Sequence, residues 1–136
     1  IKSTVIEHIL DDESNFRIFP ADDLGSNIYG YWGIQSIGGY RAVKLRNYQD
    51  LMDVGGFKRP TILNMLNVKY LLTKKAVKNP AFTKITGLEG IYQNLDYLPR
   101  AWFVNKIDNV KDQTASLNKL MDISFRPNEK AIFSGI

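Results

Sequence analysis

The side chains of this sequence that can do chemistry fall into acidic clusters, a glycine stretch interleaved with aromatic rings, and a run of cations. Asp11-Asp12-Glu13 and Asp22-Asp23 are the acidic clusters. Paired carboxylates can bind a divalent cation or divide acid and base duties. Both clusters stand at predicted turns, where aspartates bond nearby backbone N–H groups, so structural work is the expected role. Glycoside hydrolysis would require two of them to face each other across a cleft. His8 is the sole histidine and cysteine is absent. That excludes thiol nucleophiles, cysteine zinc sites and disulfides, and leaves a Ser-His-Asp triad only if His8 is its base. His8 lies among Val5, Ile6, Ile9 and Leu10, where a partly exposed helix position is the expectation. No catalytic residue, metal site or cofactor is expected.

The binding candidates lie further along. From residue 25 to 40 the chain carries no charge, and Tyr29, Tyr31, Trp32 and Tyr40 stand among Gly30, Gly33, Gly38 and Gly39. Aromatic faces stack on pyranose rings and glycines permit close approach, so Tyr31, Trp32, Tyr40 and Arg41 are the candidate platform. The simpler alternative is an ordered structural loop, and the spacing matches neither GxGxxG nor GxxxxGK[ST]. Lys44 and Arg46 follow. The planar guanidinium fork of Arg46 suits a phosphate, and its duller use is an i,i+4 pair with Asp50.

Charge is unevenly placed. The net value is +4, but residues 1–23 hold two basic and six acidic side chains, whereas residues 41–84 hold ten basic against two acidic, a local excess of eight. Such a segment attracts phosphates of lipid, polymer or nucleic acid, or forms a solvated face. No RNP, zinc-finger or recognition-helix pattern supports nucleic acid as a partner.

The elements that must position these residues are legible in outline. With 136 residues and 44% hydrophobic content the chain suits one domain with a buried core. Helical spacing predicts a helix over residues 4–10. It predicts another over 44–54, with Leu45, Tyr48, Leu51 and Met52 on one face, and a third starting near Pro60. Asp112 caps a fourth, with Leu117, Leu120 and Met121 inward. Strands are expected at 16–20, at 68–73 as the central strand, at 82–86 and 90–94 as a hairpin, at 101–105 and at 130–133. In the strand at 101–105, Trp102 and Phe103 should face opposite ways. Helices and strands without strict alternation predict α+β, a small mixed sheet with flanking helices in a single domain over residues 1–136.

Four segments in order resemble one family: Phe16-Arg-Ile-Phe-Pro20, Ser36-Ile-Gly-Gly-Tyr40 running into Ala42-Val-Lys-Leu-Arg-Asn-Tyr-Gln-Asp-Leu51, Leu63-Asn-Met-Leu-Asn-Val-Lys-Tyr-Leu-Leu72, and Leu98-Pro-Arg-Ala-Trp-Phe-Val104. They are similar to the YfhO-type bacterial membrane proteins, across about residues 4–133. The resemblance implies the extracytoplasmic soluble domain of a larger multi-span protein at the bacterial cell membrane. The implied parent is a GT-C-type glycosyltransferase that moves a sugar from a polyprenyl-phosphate carrier to a cell-envelope acceptor. Catalytic acids in such enzymes are expected in an early extracytoplasmic loop, so none is carried onto this sequence. The implied partners are the transmembrane portion of the same polypeptide and an envelope glycan or polyprenyl-phosphate head group. A stand-alone carbohydrate- or polymer-binding module is the competing reading.

Overall fold

In the computed structural model, which describes residues 3–135, the first helix, α1 (Thr4–Leu10), starts at Ser3, whose hydroxyl accepts the Ile6 N–H. That bond satisfies one of the amides a helix start leaves without a partner. The chain then enters β1 (Arg17–Pro20), which buries Ile18 and Pro20 and turns Arg17 and Phe19 toward half-buried positions. After a short helix, α2 (Ile28–Tyr31), the glycine stretch runs to α3 (Arg46–Asp53), a 3-10 turn (Gly56–Lys58) and α4 (Pro60–Met65), with proline in its first turn.

β2 (Val68–Leu72) is the central strand, as its apolar run predicts. It pairs in parallel with β1 and antiparallel with β4 (Ile91–Asn94), and β4 continues antiparallel to β3 (Phe82–Lys84), giving the order β1-β2-β4-β3. The expected hairpin is thus present, its turn carrying Gly87 and Gly90 at positive φ. Opposite the step from Arg17 to Ile18 the register advances from Val68 to Tyr70. This bulge leaves Lys69 unpaired with β1 and interrupts the alternation of β2. Tyr70 and Leu72 consequently join a core on one face with Ile9, Ile18, Ile34 and Ile91. Val68 and Leu71 join another with Ile37, Phe57, Leu63 and Phe82.

The remaining strands, β5 (Lys106–Val110) and β6 (Lys130–Ser134), pair in parallel around α5 (Gln113–Met121). Asp112 caps α5 by accepting the Ala115 N–H at 2.8 Å. Leu117, Leu120 and Met121 point inward but are only half-buried. The architecture is the expected α+β.

Two local expectations need correction. Residues 101–105 form no strand. Asn67 and Asn64 hold the preceding Leu98 through its carbonyl and N–H, the Trp102 indole donates to the Pro127 carbonyl at 2.8 Å, and ladder pairing begins only at Lys106. The opposed facing of its two rings survives without a strand: Trp102 is half-buried and Phe103 fully exposed. Leu45, expected on the packed face of α3, stands at the N-cap and is 81% exposed.

Candidate functional site

The glycine stretch, β1 and α3 together enclose a cleft. One lobe, of about 600 Å³, is lined by Arg17, Ser36, Gly38, Gly39, Arg41, Lys44 and Tyr48 among others. A second, of about 570 Å³, shares Arg17, Ser36, Gly38, Gly39 and Arg41 with it. The wall depends on two glycines. A Cβ on Gly38 would stand 2.1 Å from the Leu24 carbonyl oxygen, and Gly39, at φ +111°, donates its N–H to that same oxygen. Residue 38 can approach Leu24 this closely only without a side chain, and a Cβ on Gly39 would crowd Asn27 Oδ1. The amides of both glycines are engaged, Gly38 with the Ser36 hydroxyl, so they shape the cleft rather than offer donors to a ligand.

Its charge comes from side chains. Arg17, half-buried on β1, donates from Nη1 to the Leu66 carbonyl at 3.2 Å. Arg100 lies close by, its guanidinium bonded to Asn67 Oδ1 at 2.6 Å, to the Phe16 carbonyl and to Gln35. All these acceptors are neutral. Burial and the nearby Arg100 charge pull Arg17 below its ordinary pKa, the mark of a guanidinium without a counter-charge. Tyr48 donates its hydroxyl to the Ile37 carbonyl at 2.6 Å. Burial pushes that phenol up to about 12 against the opposing pull of Arg17 and Arg41. Among the described residues no carboxylate pairs with Arg17, Arg41, Lys44 or Arg100, and none lines either lobe. An oxyanion entering here meets two guanidinium forks and an ammonium, the donor set that binds phosphate or carboxylate most strongly.

Of the residues singled out from sequence, Arg41 and Lys44 come together in this cleft. Arg46 lies on α3 in the neighbouring groove, 89% exposed, 3.6 Å from Asp50. Tyr31 is 81% exposed and meets the half-buried Trp32 edge to face. Trp32 packs against the core around Ile9 and Ile18. Tyr40 is exposed, its backbone fastened by both polar atoms of the Asn27 side chain. These three rings stand outside the cleft lining. Arg17 is the residue sequence reasoning missed. It belongs to the acidic N-terminal segment, and β1 reaches residues 35–37 directly, through the Ile18 N–H to the Gln35 carbonyl and the Ile37 N–H to the Ile18 carbonyl.

The acidic clusters have structural roles. Asp12 accepts from the Ser14 N–H and hydroxyl, from the Tyr70 hydroxyl at 2.7 Å, and pairs with Lys69. Asp22 accepts from the Thr73 hydroxyl and the Lys74 N–H, at 2.9 and 2.7 Å, which fixes the turn after β2. His8 is half-buried with its ring edge-to-face on Tyr70. Among the described residues no group of three or more His, Asp or Glu side chains is placed to hold a metal ion, and no helix is long and apolar enough to cross a membrane. The basic run divides: Lys69 turns to Asp12, Lys84 to Glu89, and Arg59 to the carbonyls of Met121 and Asp122. Comparison with family models, curated proteins and solved structures returned no match.

Proposed function

We propose that this chain is a non-catalytic anion-binding domain on the extracytoplasmic side of a YfhO-type membrane glycosyltransferase. There it holds the phosphate of a carrier head group, or an anionic envelope acceptor, for the transmembrane portion of the same polypeptide. The observation that supports this reading is the cleft lined by Arg17, Arg41 and Lys44 with no carboxylate among its residues. The reading takes its family from the resemblance of the sequence blocks quoted above and its ligand chemistry from the cleft.

The test is calorimetric titration with inorganic phosphate at low and high salt. Saturable binding that weakens with salt is expected. Arg17→Gln and Arg41→Gln should each lower affinity about tenfold, the scale of a lost charge-assisted hydrogen bond. Lys84→Gln, on the β3–β4 hairpin, should leave affinity unchanged. Absence of saturable binding would refute the reading. A stand-alone carbohydrate-binding module is the second reading, favoured by the exposed rings of Tyr31 and Tyr40. It predicts binding of neutral glycans that Tyr31→Ala abolishes and salt leaves alone.

A further inference from the structure

The second sheet has only two strands, β5 and β6, so its ladder bonds β6 along one edge. Among the described residues the other edge of β6 has no strand partner, and its main-chain donors and acceptors stay open. Lys130, Ala131, Ile132 and Ser134 line a hollow of about 830 Å³ between β6, α3 and α5, and no residue of β5 does. Successive side chains of a strand point to opposite faces, and Ala131 is out of phase with the other three. Both faces of β6 meet the hollow, and β5 none of it, where the hollow runs along the outer edge of β6. Its other walls are largely apolar, with Trp102, Leu117 and Leu120 among them. No residue of α5 is fully buried, so its leucine face meets the hollow rather than a sealed core. The Trp102 indole N–H is already bonded to the Pro127 carbonyl, which leaves the ring as an apolar wall. The charged side chains in the lining are Arg46 and Lys130; Asp50 and Asp108, which pair with them, lie outside it.

We infer that β6 takes a further strand in this hollow: an extended segment of another polypeptide, apolar at alternate residues and flanked by carboxylates. The inference does not rest on the anion-binding reading of the cleft. Three features select this occupant together. The open edge of β6 asks for main-chain donors and acceptors, which a strand supplies in register and a small apolar molecule does not. The two-residue period of a strand turns every second side chain toward the leucines of α5 and the Trp102 ring. Arg46 and Lys130, with no carboxylate in the lining, favour an acidic guest over a basic one. With five residues in β6, the ladder accommodates a guest of about the same length.

The probe is the peptide acetyl-Glu-Val-Thr-Leu-Thr-Val-Glu-amide, titrated into the protein by calorimetry. Two analogues carry N-methyl groups on alternate amides, one along each edge of the extended peptide. The parent should bind saturably. One analogue should match it, and the other, which loses the ladder bonds to β6, should bind about tenfold more weakly or worse. Lysine in place of both glutamates should weaken binding about tenfold. Bound peptide should slow amide exchange within residues 130–134. Ser116→Trp, which fills the hollow from α5, should abolish binding; should it fail to fold, the analogues carry the test on the unaltered protein. Equal binding of both analogues overturns strand addition and leaves a general apolar hollow. Slowed exchange in β5 in place of β6 overturns the assignment of the edge. Absence of saturable binding overturns the inference outright. A peptide-free protein that sediments as a dimer with β6 already protected overturns it in favour of a second copy at this edge.

Discussion

Replacing Lys69 with methionine isolates the contact that ties the loop after α1 to the central strand. The Lys69 ammonium lies 5.4 to 5.6 Å from the ring centres of Phe16, Tyr70 and Tyr97 and pairs with Asp12, with side-chain exposures of 13% and 16% for the two partners. Burial by itself would push the Asp12 carboxyl up. The bonds from Lys69, Ser14 and Tyr70 outweigh it and hold the group well below the usual carboxylate range. Methionine keeps an apolar stem beneath the rings and removes the charge. Asp12 is then left enclosed without its cation, and losing one member of a buried pair costs about 3–5 kcal/mol. The residual exposure of both partners places the loss near about 3 kcal/mol at pH 7, or a midpoint about 10 °C lower for a chain of this size.

The acid dependence gives an independent check on the same pair. Because the folded pKa of Asp12 is depressed, the unfolded chain takes up the proton first as pH falls. The contribution is therefore complete above about pH 5 and is lost progressively below it. In Lys69→Met burial again governs Asp12, which accepts a proton earlier and loses its penalty. Urea denaturation from pH 7 to pH 2.5 should show the gap between the two proteins closing toward acid. A gap under about 1 kcal/mol at pH 7, the value of an exposed pair, or one that stays constant with pH, would refute the account.

Three further outcomes follow from named contacts. Gly38→Ala drives its methyl group into the Leu24 carbonyl. It should cost about 1–3 kcal/mol in thermal unfolding, as forced overpacking does, and lower phosphate affinity in calorimetry. Asn67→Ala removes two donated bonds, to Asn15 and Leu98, and the acceptor for Arg100, at a residue with φ 64°. A loss of about 3 kcal/mol in urea is expected, with proteolysis advancing first into residues 95–105. Tyr48→Phe gives up the bond to Ile37 and should cost about 1 kcal/mol. In spectrophotometric titration it should delete the tyrosine that ionises near pH 12.

The sequence disclosed elements wherever a periodic apolar face coincided with an end signal. Asp112 caps α5, Pro60 opens α4, and Gly87 and Gly90 turn the hairpin. It misled where apolar character was local and the partner was not. Ala101-Trp-Phe-Val104 has the composition of a strand, but the ladder with β6 starts only at Lys106. Leu45 matched the helical period and still fell at the N-cap, outside the packed face. At the site, Arg41 and Lys44 were visible in the charge run. The aromatic rings beside them packed or projected elsewhere. Arg17 was beyond reach because its position depends on two parallel pairings of β1, with β2 and with the isolated bridge at Ser36, and an isolated bridge has no periodic signal in sequence.

The parallel pairing of β1 with β2 also bears on how the protein assembles. All of residues 21–67 lie between these two strands, and that interval contains Arg41, Lys44 and every glycine of the cleft wall. Closing so long a loop is an entropic cost met before the strands reward it, and such non-local pairings slow folding. The cleft therefore has no early, locally folded form: anion affinity should emerge during refolding in step with burial of Tyr70 in the central strand, and never ahead of it.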